Sequence, residues 1–171
     1  MNIRNYEFKA RVDNFDDLEK KLLLLKPDYI GLDHQIDTYF NVEKGRLKLR
    51  EGNIENSLIN YDREDSADAK ESKVILYKHQ ANRALKDILT LQFGVKTVVD
   101  KRRKIYFVEN VKFHFDLVKK LGTFIEVEAI DENNNFTIEE LKVQCFKYFD
   151  YFELRKDSLI DKSYSDMILL S

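Results

Sequence analysis

The chain is poor in the residues that pin or punctuate a backbone: among 171 residues there is one cysteine, one proline, five glycines and no tryptophan. A single cysteine excludes an internal disulfide and fits a reducing compartment. Cys145 has neither a helix start nor a paired histidine beside it, so it reads as a small buried apolar side chain. The scarcity of glycine and proline excludes a disordered or low-complexity chain. An excess of one charge is missing too. With 29 basic and 31 acidic residues the net charge is −2, so no global positive field attracts nucleic acid or an anionic membrane, and any anion site must be local. No apolar run approaches membrane-spanning length, and the first residues form a charged segment instead of an apolar signal region. The expectation is a cytoplasmic protein, a single domain over 1–171 that is long enough to bury a sizeable core.

What the chain does have is charge on every second position of its strand-like stretches. Asn5, Glu7, Lys9 and Arg11 alternate with Tyr6, Phe8, Ala10 and Val12, and Arg46, Lys48 and Arg50 alternate with Leu47 and Leu49. Lys101 and Arg103 repeat the pattern, as do Glu126 and Glu128. Side chains leave a strand on alternate faces, so each segment has one ionic face and one apolar face. Strands are expected near 3–12, 34–41, 46–51, 57–64, 72–79, 95–108, 111–117 and 123–130. A helix at 14–25 carries Phe15, Leu18, Leu22 and Leu25 at helical spacing and is stopped by Pro27. A second at 81–93 has Leu85, Ile88, Leu89 and Leu91 as its apolar set and Gly94 as its C-terminal cap. A third follows Thr137, which forms a capping box with Glu140, and its apolar side is Leu141, Cys145, Tyr148 and Phe149. A short helix is expected at 163–170. The charged segment Glu64 to Glu71 reads as a solvated, mobile hairpin loop.

These elements make an α+β fold. The apolar strand faces need cover, which helices outside a closed sheet provide, and the ionic faces then point inward. Alternation is the same whichever face is wet. Composition favours the inverted arrangement, because arginines, lysines and carboxylates from strands distant in sequence share the parity of the expected inner face.

Asn5-x-Glu7-x-Lys9-Ala-Arg11-Val12 resembles the Glu-x-Glu-x-Lys signature of the CYTH superfamily, the triphosphate tunnel metalloenzymes, with Asn5 at the first glutamate. Gln35-Ile-Asp37-Thr-Tyr39-Phe40, Gly45-Arg46-Leu-Lys48-Leu-Arg50-Glu51, Lys101-Arg-Arg103-x-Ile-Tyr-Phe, Asp116 and Leu121-Gly122-x-Phe-Ile-Glu126-Val-Glu128 resemble its later strands, and Ser163-Tyr164-Ser-Asp166 its ending. The segments that follow Lys101 and Gly122 are most similar to class IV adenylyl cyclases. The resemblance implies a closed antiparallel β-barrel, or tunnel, of about eight strands with helices packed outside. It implies a reaction that turns ATP into cyclic AMP and pyrophosphate, with hydrolysis of thiamine triphosphate, inorganic triphosphate or a nucleotide as the alternative, and noncatalytic triphosphate binding as a third. The partner is ATP or another triphosphate, with neither nucleic acid nor membrane, and a homodimer is compatible.

The site residues follow from the resemblance and make chemical sense. Lys9, Arg11, Arg46, Lys48, Arg50, Arg63, Lys101 and Arg103 are the candidate substrate-binding cations, since guanidinium forks and ammonium groups satisfy polyphosphate. Lys9 and Arg103 are also the catalytic candidates. Glu7, Asp116, Glu126 and Glu128 are the candidate ligands of Mg2+ or Mn2+, which take oxygen donors. Asn5 keeps a carbonyl oxygen for a metal or its water but removes one negative charge. Arg102 and Lys104 have the opposite parity and read as surface charge. His34, His79 and His114 lack zinc spacing among themselves, though His114 shares the parity of Asp116. Tyr61 and Arg63 share one strand face, Lys70 and Ser72 border the loop, and Asp37 and Tyr39 match the family pattern without an evident chemical role.

Overall fold

Period-two patterning produces eight strands in the computed structural model, which describes residues 2–62 and 70–171. They are β1 (Asn2–Arg11), β2 (Asp28–Phe40), β3 (Arg46–Glu51), β4 (Ser57–Asp62), β5 (Lys70–Lys78), β6 (Val95–Val108), β7 (Val111–Val118) and β8 (Gly122–Asp131). All neighbours are antiparallel, and the sheet closes into a barrel in the order β1-β5-β4-β3-β2-β6-β7-β8. Among the described residues four α-helices lie outside: α1 (Asp16–Leu23), α2 (Arg83–Phe93), α3 (Ile138–Tyr151) and α4 (Tyr164–Leu169). None among the described residues is long and apolar enough to cross a membrane.

The main core lies between the barrel's outer wall and α3. Tyr6, Phe8 and Ala10 of β1, Phe113 and Phe115 of β7, and Ile125, Val127 and Ala129 of β8 pack with Leu141, Cys145, Tyr148 and Phe149. Each fully buried large apolar side chain stabilises the fold by roughly 1.5–3 kcal/mol. The capping box is present, with Thr137 Oγ1 accepting from the Glu140 amide and the Glu140 carboxylate accepting from the Thr137 amide. Cys145 donates to the Tyr6 carbonyl at 2.8 Å, and burial pushes its thiol up to about 12. A second cluster gathers Tyr39, Tyr61, Val99, Val118 and Phe124 around Tyr164 of α4.

Three expectations need adjustment. β2 begins at Asp28, because the long β6 recruits residues 28–33 by pairing Asp28 with Phe107, across an irregularity between Tyr29 and Gly31, where no regular alternation announces a strand. α1 ends at Leu23, and the amides of Leu24, Leu25 and Lys26 close tighter turns onto the carbonyls of Lys21, Leu22 and Leu23, with Lys26 at φ 51°. Ile88 and Leu91 of α2 are 58% and 81% exposed, because the apolar contact of that helix with the barrel runs through Leu85 and Leu89, which pack with Phe40 and Leu49. Arg63 and positions 64–69 of the expected hairpin loop lie outside the described residues, as do the side chains of Lys70 and Ser72.

Candidate active site

The inner wall of the barrel encloses a cavity of about 860 Å³. Glu7, Lys9, Lys48, Arg50, Lys101, Arg103, Glu126 and Glu128 all line it. Two arginines are fixed there by directly opposed aspartates. Asp37 faces Arg50 across the β2–β3 ladder, and the guanidinium grips both carboxylate oxygens at 2.8 and 2.9 Å. Asp116 faces Arg103 across β6–β7 and is gripped at 2.7 and 2.6 Å, while the Tyr164 hydroxyl donates to Asp116 at 2.7 Å. Such forked, charge-assisted pairs set orientation as well as energy. They engage only part of each five-donor guanidinium, so both arginines keep donors for a ligand.

Asp37 gathers further charge, with Lys101 Nζ at 2.6 Å and Lys48 Nζ at 3.5 Å. Burial opposes its ionisation, but Arg50, Lys101 and Lys48 more than compensate and hold its carboxyl well below the usual range. Lys101 shows the reverse balance: burial, together with Arg50, Arg103 and Lys48, outweighs Asp37 and lowers its ammonium to about 7. Glu55, in the β3–β4 turn, reaches Arg50 at 3.2 Å and also pairs with Lys112. Those two cations overcome its burial and keep it ionised.

The acids form the other side of the cavity. Lys9 Nζ lies 3.4 Å from Glu126, Arg103 lies 3.5 Å from it, and His114 Nδ1 lies 3.1 Å away. Burial disfavours the charge on Glu126, yet Lys9, Arg103 and His114 hold its pKa well below normal. Glu128 behaves oppositely, raised by burial and by the charge of Glu7, its direct partner across β1–β8. An imidazole nitrogen of His114 and one carboxylate oxygen each from Glu126 and Glu128 lie within 4.8 Å of one another. Carboxylates crowded in this way disfavour joint ionisation unless a cation joins them. Oxygen donors at this spacing fit a divalent cation.

Not every expected site residue reaches the cavity. Arg11 is exposed, donates to the Leu121 carbonyl at 2.5 Å and lies over the Phe124 ring at 4.6 Å. Arg46 bonds Ser163 Oγ at 2.6 Å and pairs with Asp166 at 2.9 Å, tying β3 to the start of α4. Asp116 is fully buried behind Arg103. Lys104 is the expected surface charge and pairs with Glu19 of α1 at 2.7 Å. Conversely, Asp37, Glu55, Lys112 and His114 belong to the site. Lys112 and His114 share the parity of Asp116 on β7, which is the signal that marks them. Glu55 sits in a turn, where no period exists.

The CYTH domain family model matches residues 4–164. No curated protein matches the chain. Among solved structures, a Pyrococcus horikoshii protein is 28% identical with a TM-score of 0.80, covering 95% of this chain and 98% of its own. A Vibrio parahaemolyticus protein described as a candidate adenylate cyclase is 17% identical with a TM-score of 0.74, covering 96% of this chain and 97% of its own. A Hippeastrum protein, a candidate adenylyl cyclase with a dominant triphosphatase activity, is 13% identical with a TM-score of 0.60, covering 99% of this chain and 94% of its own. A family match over nearly the full length, on a closed barrel lined by charge, shows that the chain belongs to the CYTH domain family.

Proposed function

We propose that the chain is a metal-dependent enzyme acting on a triphosphate, most like a class IV adenylyl cyclase that converts ATP to cyclic AMP and pyrophosphate. The observation that carries this reading is the division of one cavity into an arginine–lysine side anchored on buried aspartates and an acidic side of Glu7, Glu126 and Glu128. Arg50, Arg103, Lys9, Lys48 and Lys101 bind and orient the phosphates, and Asp37 and Asp116 hold the two arginines at fixed angles. Glu7, Glu126 and Glu128 would hold Mg2+ or Mn2+, which supplies charge neutralisation at phosphate oxygens when bound. In this role Asp116 is a positioning residue for Arg103. Ile3, Ile54, Phe107, Ile130 and Phe136 add an apolar part to the lining, suited to the organic end of the substrate. In cyclisation the ribose hydroxyl gives up its proton to solvent and its oxygen bonds to the innermost phosphorus as the bond to the leaving pyrophosphate breaks. The lone, buried Cys145 supports a cytoplasmic setting.

Triphosphate hydrolysis is the second reading, favoured by the dominant activity of the Hippeastrum neighbour. The same cations serve both reactions, which differ in whether the ribose hydroxyl or water attacks. The deciding experiment incubates the chain with Mg2+ or Mn2+ and a panel of triphosphates, resolving cyclic nucleotide, pyrophosphate and orthophosphate. Cyclic AMP with pyrophosphate supports cyclisation, and orthophosphate supports hydrolysis. Binding of triphosphate with no product from any substrate overturns the enzyme.

A further inference from the structure

The acidic side of the cavity contains one nitrogen donor. His114 stands directly opposite Glu126 on the β7–β8 ladder, lines the cavity and is 2% exposed. Its Nδ1 faces Glu126 Oε1, whereas its Nε2 is buried with no hydrogen-bond partner. On β1, which lies on the other side of β8, Asn5, 4% exposed, gives Nδ2 to Glu128 Oε1 at 2.5 Å and leaves Oδ1 buried and unpartnered. Buried polar atoms without partners are costly and need an explanation. Here two of them border a group of carboxylates.

The carboxylates set the sign of the missing partner as positive. The two neutral groups set its kind. Asn5 offers a carbonyl oxygen but no charge, which weakens the corner for Mg2+, an ion that binds through hard, charged oxygen donors and retained water. An imidazole nitrogen restores affinity only for cations that accept nitrogen readily, those of the first transition row and zinc. With Nδ1 turned to Glu126, Nε2 is the ring nitrogen left without a partner and so the one available to a cation.

We propose that His114 supplies a nitrogen ligand, beside Glu126, Glu128 and the Asn5 carbonyl oxygen, to a divalent cation such as Mn2+, Co2+ or Zn2+ in preference to Mg2+. The proposal rests on the metal-dependent reading above and names the ion class that reading leaves open.

The test uses the full chain without substrate. Electron spin-echo modulation of the Mn2+-loaded protein reports nitrogen coupling, and calorimetric titration gives affinities for Mg2+, Co2+ and Zn2+. The expected result is nitrogen coupling in the parent that disappears in His114→Gln. Co2+ and Zn2+ binding should weaken at least about tenfold in that variant, and Mg2+ binding by no more than about threefold. Absence of nitrogen coupling in the parent, or equal weakening for Mg2+ and Co2+ in the variant, overturns the proposal. If His114→Gln does not fold, the parent spectrum decides alone. Nitrogen coupling without turnover of any triphosphate would sink the enzyme reading and leave this one standing. Turnover without nitrogen coupling would do the reverse.

Discussion

Asp37 sits 1% exposed among Arg50, Lys101 and Lys48, and its sequence neighbours give no hint of that crowd. Parity places it on the inner face, but its role depends on β3 and β6, which lie elsewhere in the chain. The consequence falls on Lys101. Its folded pKa of about 7 lies below the ordinary 10.5, so the unfolded chain binds more protons between those values. The residue therefore penalises folding at neutral and lower pH, and the penalty fades as pH rises through that window. A polyphosphate beside Nζ favours the charged form and raises the pKa again. Tripolyphosphate binding near about pH 8.5 should accordingly take up a fraction of a proton, approaching one, that is absent in Lys101→Arg, where the side chain stays charged. Binding heats in two buffers of different ionisation enthalpy measure it. Equal uptake by both proteins would remove Lys101 from the anion site.

The elements differ in how far local pattern explains them. α3 carries its own start signal in Thr137 and Glu140 and its own buried stripe, so sequence suffices. The turn between β3 and β4 is the opposite case. Asp33 of β2 accepts from the amides of Ile54 and Glu55, both at 2.9 Å, and Gln35 donates to Asp33 and Glu55 at 2.8 and 3.0 Å. This arrangement aims Glu55 at Arg50 and Lys112. It also leaves no room at Gly52, where a Cβ would sit 2.6 Å from Asp33 Oδ1 and 2.7 Å from the Glu55 carbonyl oxygen. Gly52→Ala should cost about 1–3 kcal/mol through the forced shift of backbone and buried carboxylate. Urea unfolding of parent and variant gives the number, and unchanged stability would show that the turn yields freely.

At the scale of the molecule, closure of the sheet leaves no open edge and turns the charged faces on one another. Lysines and arginines held close together are tolerated because carboxylates interleave them, and a bound polyanion relieves the repulsion further. Tripolyphosphate should therefore stabilise the native chain. At about one hundred times its dissociation constant the gain is about 2.7 kcal/mol, a rise in Tm of roughly 5–10 °C for a chain of this size. Scanning calorimetry measures the shift, which should shrink markedly in Arg50→Ala and Arg103→Ala at the same ligand concentration. No shift in the parent would mean that the cavity does not take polyphosphate.

The sequence by itself determined that these strands and helices form, because periods of 2 and 3.6 are local consequences of backbone geometry, but not where β2 begins or α1 ends. It also determined which residues share a strand face. A period of two fixes the face but not the height along the barrel. Arg11 and Arg46 have the same parity as Lys9 and Arg50, yet they stand at strand ends and bond the Leu121 carbonyl and the start of α4. Only tertiary structure decided that the ionic faces turn inward, since alternation is identical for either choice. Only ladder register set Arg50 against Asp37, Arg103 against Asp116 and His114 against Glu126. Those meetings join strands whose spacing along the chain carries no record of their closeness, and they turn a pattern of charges into a site.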